Sequence, residues 1–299
     1  MRTEQEMYHL ILNTAQQDKR IRAVYLEGSR TNQNVPKDIF QDYDVVYVVH
    51  ETKSFIEDRE WIERTFGKVL YMQLPDEFPQ VFPDENIDIT KSYGWLVQFA
   101  EGNRIDLHVQ TIEFAKENIF NDSLRKILLD KDNIFPEIPE ASDRDYWVKK
   151  PDFQEYVCTC NEFWWCLNNV AKGLWREELT YVQDMVNHVV RRQLTKLLSW
   201  KIGLITDWSV SIGKSGKYMY RFLPKEDWEK YLSTWFSCDV HEAWDAVLRM
   251  CDLFDKTARE VAAGLGCTYN EKEALGSLSY LKHVRELPKD AKEVCTIIL

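Results

Sequence analysis

The sequence has no long apolar run and no apolar leader, and these two absences exclude whole classes of protein. No hydrophobic stretch approaches the roughly 20 residues that a membrane-spanning helix needs. The first residues, Met1–Glu6, are polar and charged, which is not the pattern of a signal peptide. Internal repeats and low-complexity tracts are also missing. We therefore expect a cytoplasmic protein that does not enter a membrane.

Positive charge is scarce as well. The chain carries 38 Lys and Arg residues against 49 Asp and Glu residues, a formal net charge of −11. A long nucleic-acid track needs clustered Lys and Arg to displace counter-ions, so this balance disfavours a nucleic-acid partner. It suits a small polycationic substrate, although an ordinary acidic cytoplasmic protein has the same balance.

The seven cysteines follow no disulfide framework spacing, which is typical of a protein in a reducing compartment. Cys158 and Cys160 are close in sequence, but they lie in an apolar segment that is predicted to be helical and has no nearby His. Structural zinc sites usually show paired ligand clusters, so we expect no zinc here.

Hydrophobic periodicity in the first 110 residues predicts a mixed sheet with helices. A helix is predicted over 4–18 and a surface helix over 53–66. The residues Glu101-Gly102-Asn103 are typical of a hairpin turn, and Pro75, Pro79 and Pro83 indicate a loop. The predicted strands are 21–26, 45–49, 69–73, 95–100 and 104–109.

The second half of the chain is predicted to be almost entirely helical. A polar, Pro-containing stretch over 130–152 indicates the domain connection, and helices are predicted near 152–174, 178–204, 225–236 and 239–264. The sequence thus predicts an α+β protein, with a mixed-sheet domain over 1–148, an α-helical bundle domain over 149–290 and a tail over 291–299.

Gly28-Ser29 follows a predicted strand, where such a pair can bind a phosphate. Gly28 lets the backbone approach without a Cβ, and Ser29 can donate its hydroxyl and its N–H to a phosphate oxygen. A simple turn is the alternative. The next residue, Arg30, suits a phosphate contact or a salt bridge equally well.

Three aspartates predict a metal site. Asp42 and Asp44 are two residues apart, so on a strand both carboxylates point to one face. In the segment Arg104–Val109, Asp106 alternates with apolar residues and shares a face with His108, which we expect to be packed rather than catalytic. If the two strands are neighbours, three like charges converge, and Mg²⁺ with its oxygen ligands can compensate them. Solvated carboxylates in a strand-end turn are the alternative.

These residues carry a resemblance to nucleotidyltransferases of the polymerase-β type. More closely, the sequence resembles the aminoglycoside 6-adenylyltransferases, which act on streptomycin. The similarity runs from about residue 1 to about residue 290 and is carried by Glu27–Asn32, Asp38–Asp44, Gly102–Leu107, Asn169–Arg176 and Gly213–Tyr218.

The resemblance implies a nucleotidyltransferase domain followed by a helical substrate-binding domain. It also implies transfer of AMP from Mg-ATP to a drug hydroxyl, with release of pyrophosphate and resistance to the antibiotic. Gly28 and Ser29 match the phosphate motif, Asp42 and Asp44 the metal pair, and Asp106 the third acidic position. Some related aminoglycoside enzymes use Glu as the base, so Asp106 is interpreted as a base or as a metal ligand only.

A sugar hydroxyl is a weak nucleophile at pH 7, and metal coordination lowers its pKa. We therefore expect Asp42 and Asp44 to bridge two Mg²⁺ ions while Asp106 accepts the proton. Lys214 and Lys217 are predicted to cap the triphosphate, or else to form a solvated basic turn; the spacing is not that of a Walker motif.

The guanidinium groups of streptomycin call for carboxylates and aromatic faces. Glu178, Asp184 and Trp175 are the predicted drug contacts, although most tryptophans of this region are expected in the core. Lys172 is predicted to reach a phosphate, or to pair with Glu162. The oligomeric state is left open.

Two other functions remain open at this point. One is a nucleotidyltransferase that acts on a tRNA or RNA end or on a protein, which the net charge of −11 disfavours. The other is a non-catalytic nucleotide-sensing module, which has no need to retain three aspartates.

Overall fold

The computed structural model describes residues 1–77 and 88–294. The chain divides into two compact units, Met1–Asp145 and Tyr146–Leu299. Pro79 and Pro83 of the predicted loop, and the last five residues of the predicted tail, lie outside the described residues.

Over residues 1–77 and 88–145, the first unit contains six strands and four α-helices. The strands are β1 Ile21–Leu26, β2 Tyr43–Val49, β3 Val69–Gln73, β4 Ser92–Phe99, β5 Arg104–Thr111 and β6 Lys126–Asp130, and the helices are α1 Glu4–Gln17, α2 Lys53–Glu57, α3 Trp61–Phe66 and α4 Ile112–Asn118. The strands form one mixed sheet of order β3-β4-β5-β2-β1-β6. The pairing of β2 with β5 is parallel and the other four pairings are antiparallel.

Strand β2 is buried on both faces, as its β-branched run predicts. Its residues Val45, Tyr47 and Val49 face a large core. Val46 and Val48 face a smaller core on the other side. This double burial fixes the register of the strand, because a slip of one residue would exchange the two faces.

The predicted surface helix over 53–66 is wrong in two respects. The segment forms two short helices, α2 and α3, which are separated by a turn at 58–60. Phe55, Trp61 and Phe66 are buried, so these helices cover the core and are not a surface feature. Strand β6 and helix α4 were not predicted at all.

The second unit is a helical bundle around its own core. The helical stretch predicted over 178–204 is present but passes through one π-helical turn, Val186–Val190, and the helix predicted over 225–236 ends at Leu232. Helix α10 was not predicted. The helices are α5 Phe153–Arg176, α6 Leu179–Met185, α7 Arg191–Ile205, α8 Lys225–Leu232, α9 Val240–Leu265 and α10 Glu271–Glu286.

The predicted α+β class, a mixed sheet with helices followed by a helical region, is confirmed. Among the described helices, none combines the length and the apolar character that crossing a bilayer requires.

Candidate active site

Three carboxylates meet at the edge of the sheet where β2 and β5 begin. In the parallel pairing of these strands Asp44 lies directly beside Asp106. Asp42 comes just before β2, and one carboxylate oxygen from each of the three residues lies within 4.8 Å of the others. We call Asp42, Asp44 and Asp106 the carboxylate triad. The convergence that strand alternation only suggested is therefore a property of the fold.

The backbone of Gly28 lies close to the carboxylate of Asp44. It has a φ of +68°, and a Cβ built on it would lie 2.4 Å from Oδ2 of Asp44. A backbone hydrogen bond fixes this approach, because the N–H of Glu27, the residue before Gly28, donates to the carbonyl oxygen of Asp44 at 3.0 Å. Glycine is therefore required here for both conformation and space.

The side chain of Arg30 has several partners within the first unit. Its guanidinium donates through Nε to the carbonyl of Asp42 at 2.7 Å and through Nη2 to the carbonyl of Gln41 at 2.8 Å. It also lies 3.6 Å above the ring of Tyr43 and reaches Glu4, and its side chain is only 8% exposed. Of the two alternatives, the structure contains the internal pairing, so Arg30 fixes the backbone that carries Asp42. Ser29 is half-buried in the same short turn, Gly28–Arg30.

The triad is electrostatically strained. Burial raises the pKa of Asp44 to about 7, and the nearby charges of Asp42, Asp106 and Glu27 act in the same direction. Like charges at this spacing favour protonation or a bound cation. The donor set consists of carboxylate oxygens, which are the ligands that Mg²⁺ prefers. The residues therefore fit a divalent metal site.

Arg104 is the residue of this site that sequence reasoning missed. Its side chain forms a two-pronged contact with Asp106, with Nε to Oδ1 at 2.8 Å and Nη2 to Oδ2 at 2.6 Å. The available signal was the spacing of two residues on one strand, which places both side chains on the same face. Two positions further along, His108 packs over Gly94, where an added Cβ would lie 2.6 Å from Nε2.

The residues of the second unit that were predicted to bind nucleotide or drug differ in their local contacts. Lys172 and Trp175, on α5, line a cavity of about 270 Å³ together with Tyr280 of α10. The indole N–H of Trp175 donates to the carbonyl of Leu287 at 3.1 Å. Trp175 therefore both lines the cavity and forms a hydrogen bond within the unit.

Glu178 and Asp184 both lie at the surface of this unit. Glu178 is 3.8 Å from Arg176, and Asp184 is 2.8 Å from Nδ1 of His188. The two carboxylates thus have different partners within the unit.

Lys214 and Lys217 flank a short turn and are both exposed. Ser215 in this turn has a φ of +57°, and the Lys217 ammonium lies 5.1 Å from the ring of Tyr218. The turn is ordered by its own backbone, since the N–H of Gly216 donates to the carbonyl of Gly213 at 3.0 Å.

Comparison with known proteins places the chain in a family. The sequence model of the streptomycin adenylyltransferase family matches residues 1–284. The chain belongs to this family. The resemblance that the motifs indicated is thereby confirmed.

Relatives named aminoglycoside 6-adenylyltransferases are similar to this chain over most of their length. An aminoglycoside 6-adenylyltransferase of Bacillus subtilis is 39% identical over 90% of this chain and 93% of its own, and one of Campylobacter jejuni is 38% identical over 90% and 91%. A crystal structure of an aminoglycoside 6-adenyltransferase from Bacillus subtilis is 33% identical, with 96% of this chain and 100% of that chain covered and a TM-score of 0.47.

Proposed function

We propose that this protein transfers AMP from Mg-ATP to the 6-hydroxyl of streptomycin, releasing pyrophosphate and conferring resistance to the drug. The observation that carries the proposal is the carboxylate triad against Gly28, in a chain whose family and relatives are adenylyltransferases. Triads of this kind suit phosphoryl chemistry, where positioning and charge neutralisation supply most of the rate.

The chain's own residues have distinct tasks in this proposal. Asp42, Asp44 and Asp106 would hold the metal ions, of which we propose two, and Asp106 also receives the attacking hydroxyl and accepts its proton. Bound Mg²⁺ would supply charge neutralisation and a lower pKa for that hydroxyl. The parallel pairing of Asp44 beside Asp106 supports this arrangement, because it keeps both carboxylates on one face of the sheet.

Nucleotide binding is proposed for Gly28, which has no Cβ, for Ser29, whose hydroxyl and N–H can donate to a phosphate oxygen, and for the cations Lys172, Lys214 and Lys217. The exposure of Lys214 and Lys217 supports a contact with a polyanion. We propose that Arg30 contributes indirectly, since its donors hold the backbone of Asp42.

Drug binding is proposed for Glu178, Asp184 and Trp175 in the helical unit. Carboxylates and an aromatic face suit the guanidinium groups of streptomycin, and the net charge of −11 favours a polycation. With these roles we propose residues 1–148 as the catalytic domain and 149–290 as the substrate-binding domain. We assign no function to the tail, residues 291–299. A cytoplasmic location and the absence of a nucleic-acid partner stay predictions.

The test is a direct assay of the purified protein with Mg-ATP and streptomycin. The drug should gain the mass of one adenylyl group while pyrophosphate is released, and nuclear magnetic resonance of the product should place the group on the 6-hydroxyl. EDTA and the Asp44→Asn variant should both abolish the gain. No adenylylated product with streptomycin or with several other aminoglycosides would exclude the proposal and favour another acceptor.

A further inference from the structure

Arg104 is the cation that contacts the carboxylate triad. Within residues 1–77 and 88–294, it is the one side chain that forms an ion pair with any of the three carboxylates. Its guanidinium donates to both carboxylate oxygens of Asp106. The same Nε lies 3.7 Å from Oδ2 of Asp42. The guanidinium therefore stands against oxygens of two triad members at once.

A divalent cation held by the triad would need these same oxygens. Mg²⁺ binds carboxylate oxygens at short range and with strict geometry. A guanidinium that donates to both oxygens of Asp106 already occupies their favourable lone pairs. The two cations thus compete for Asp106.

The strengths of the interactions indicate which of the two cations leaves Asp106. Two like charges about 4 Å apart repel each other near a protein surface, and a divalent ion doubles the charge on one side. The side chain of Arg104 is 46% exposed and that of Asp106 is 15% exposed, and an ion pair with a solvent-exposed partner contributes less than this repulsion. Departure of the guanidinium from Asp106 is therefore much cheaper than keeping both cations in place.

We propose that Arg104 is the displaceable counter-ion of the triad: it covers Asp106 in the metal-free protein and leaves this carboxylate when a divalent cation binds. The inference rests on the proposed function for the metal site and adds a residue to it. Arg104 then has two effects. It compensates three like charges while the site holds no metal, and it weakens the binding of free metal ions.

An orienting role for Arg104 makes the opposite prediction. Ligating carboxylates are commonly held by a hydrogen-bonded neighbour, and loss of that neighbour weakens metal binding about 10–100-fold. Loss of a competing counter-ion strengthens it. The sign of the change in metal affinity therefore separates the two roles, without any measurement of catalysis.

The experiment measures Mn²⁺ binding to the full chain without nucleotide, from the paramagnetic resonance signal of the free ion. Arg104→Gln should bind Mn²⁺ about five- to tenfold more tightly than the wild type, which corresponds to roughly 1 kcal/mol. Arg104→Lys keeps the charge but loses the fork, so its affinity should lie between the two.

Arg22→Gln is the matched control. Arg22 forms the same two-pronged contact with Asp132, at 2.6 and 2.5 Å, elsewhere in the first unit. Its loss changes the net charge by the same amount, and it should leave the Mn²⁺ affinity within about twofold of the wild type. Melting curves supply a second reading: Mn²⁺ should raise the melting temperature of Arg104→Gln by more than that of the wild type.

Each outcome has one meaning. Weaker or unchanged Mn²⁺ binding by Arg104→Gln, with saturable binding by the wild type, overturns the counter-ion role and leaves the proposed function intact. If Arg104→Gln fails to fold, the same comparison is made with Arg104→Lys. No saturable Mn²⁺ binding by the wild type, with or without ATP, overturns the proposed metal site and the role of Arg104 together.

Discussion

Replacement of Gly28 by alanine tests how closely the site depends on one missing side chain. The φ of +68° at this position is accessible to glycine without a penalty, whereas an alanine there costs roughly 1 kcal/mol. In addition, the new Cβ would lie 2.4 Å from Oδ2 of Asp44, and ordinary contact begins at 3.4 Å. The turn and the carboxylate must therefore separate by about 1 Å.

A shift of this size is large for Asp44 in the catalytic role that we propose for it. A misplacement of about 1 Å can reduce a rate about a hundredfold, or roughly 2.7 kcal/mol of transition-state stabilisation. We therefore expect Gly28→Ala to lower kcat/KM for streptomycin adenylylation about a hundredfold. The melting temperature should fall by only about 2–4 °C, as a loss near 1 kcal/mol implies for a unit of this size.

Gly266→Ala separates the two effects. Gly266 caps α9 with a φ of +69°, and no heavy atom lies within 4 Å of the position that a Cβ would take there. This variant has the same backbone cost but displaces nothing, so it should show the small thermal shift and unchanged activity. Steady-state kinetics and circular dichroism melts of both variants provide the comparison. Equal activity of the two variants would refute the reasoning that the Cβ displaces Asp44.

Three further predictions concern charged side chains. Because burial raises the pKa of Asp44 from 3.8 to about 7, the folded protein retains a proton that the unfolded chain releases, and this carboxylate lowers stability increasingly as pH rises through that range. Asp44→Asn should therefore raise the free energy of unfolding of the EDTA-treated protein in urea more at pH 8 than at pH 5. An equal gain at both pH values would contradict the raised pKa of Asp44. The same variant should lower kcat at least about a thousandfold. Arg30→Lys should lower kcat with little change in the KM for ATP, since one ammonium cannot reproduce the fork on two carbonyls, and a raised KM alone would instead indicate a phosphate contact. Asp227→Ala should cost about 3 kcal/mol in urea unfolding, because Lys201 and Lys256 lose the buried carboxylate between them, and a cost below about 1 kcal/mol would show that the pairs contribute little.

Local patterns predicted the triad only in part. Alternation along Arg104–Val109 correctly placed Asp106 on a polar face, and the spacing of Asp42 and Asp44 placed them together. The decisive fact is that β2 and β5 are parallel neighbours with Asp44 beside Asp106. About sixty residues separate these strands, and their pairing depends on the whole sheet, so no local signal contains it.

The elements that were missed are those with weak periodicity. Strand β6 is only half-buried at its edge position, so alternation between buried and exposed residues is faint. Helix α10 buries just Ala274, Leu281 and Val284 along its 16 residues. Short or weakly amphipathic segments are stabilised mainly by tertiary packing, which a single sequence does not display. The spacing of Arg104 and Asp106 places both side chains on one face of β5, but spacing alone does not show that they pair.

The repulsion among the triad carboxylates follows from the pairing of the strands that carry them. Strand β2, which is buried on both faces, holds Asp44 beside Asp106 of β5, and Gly28 leaves space for Asp44 because it has no side chain. The pairing of β2 with β5 fixes the backbones of Asp44 and Asp106 side by side. Positive charge relieves the repulsion without a change in this pairing, and Arg104 supplies it from a position at the start of β5 that is 46% exposed. A cation in a weak, half-exposed ion pair can be replaced by a cation that binds the carboxylate more strongly. A cation in a buried ion pair is much harder to replace. Because Arg104 is exposed, its ion pair with Asp106 contributes little to stability. For the same reason Arg104 can leave Asp106 when a metal ion binds.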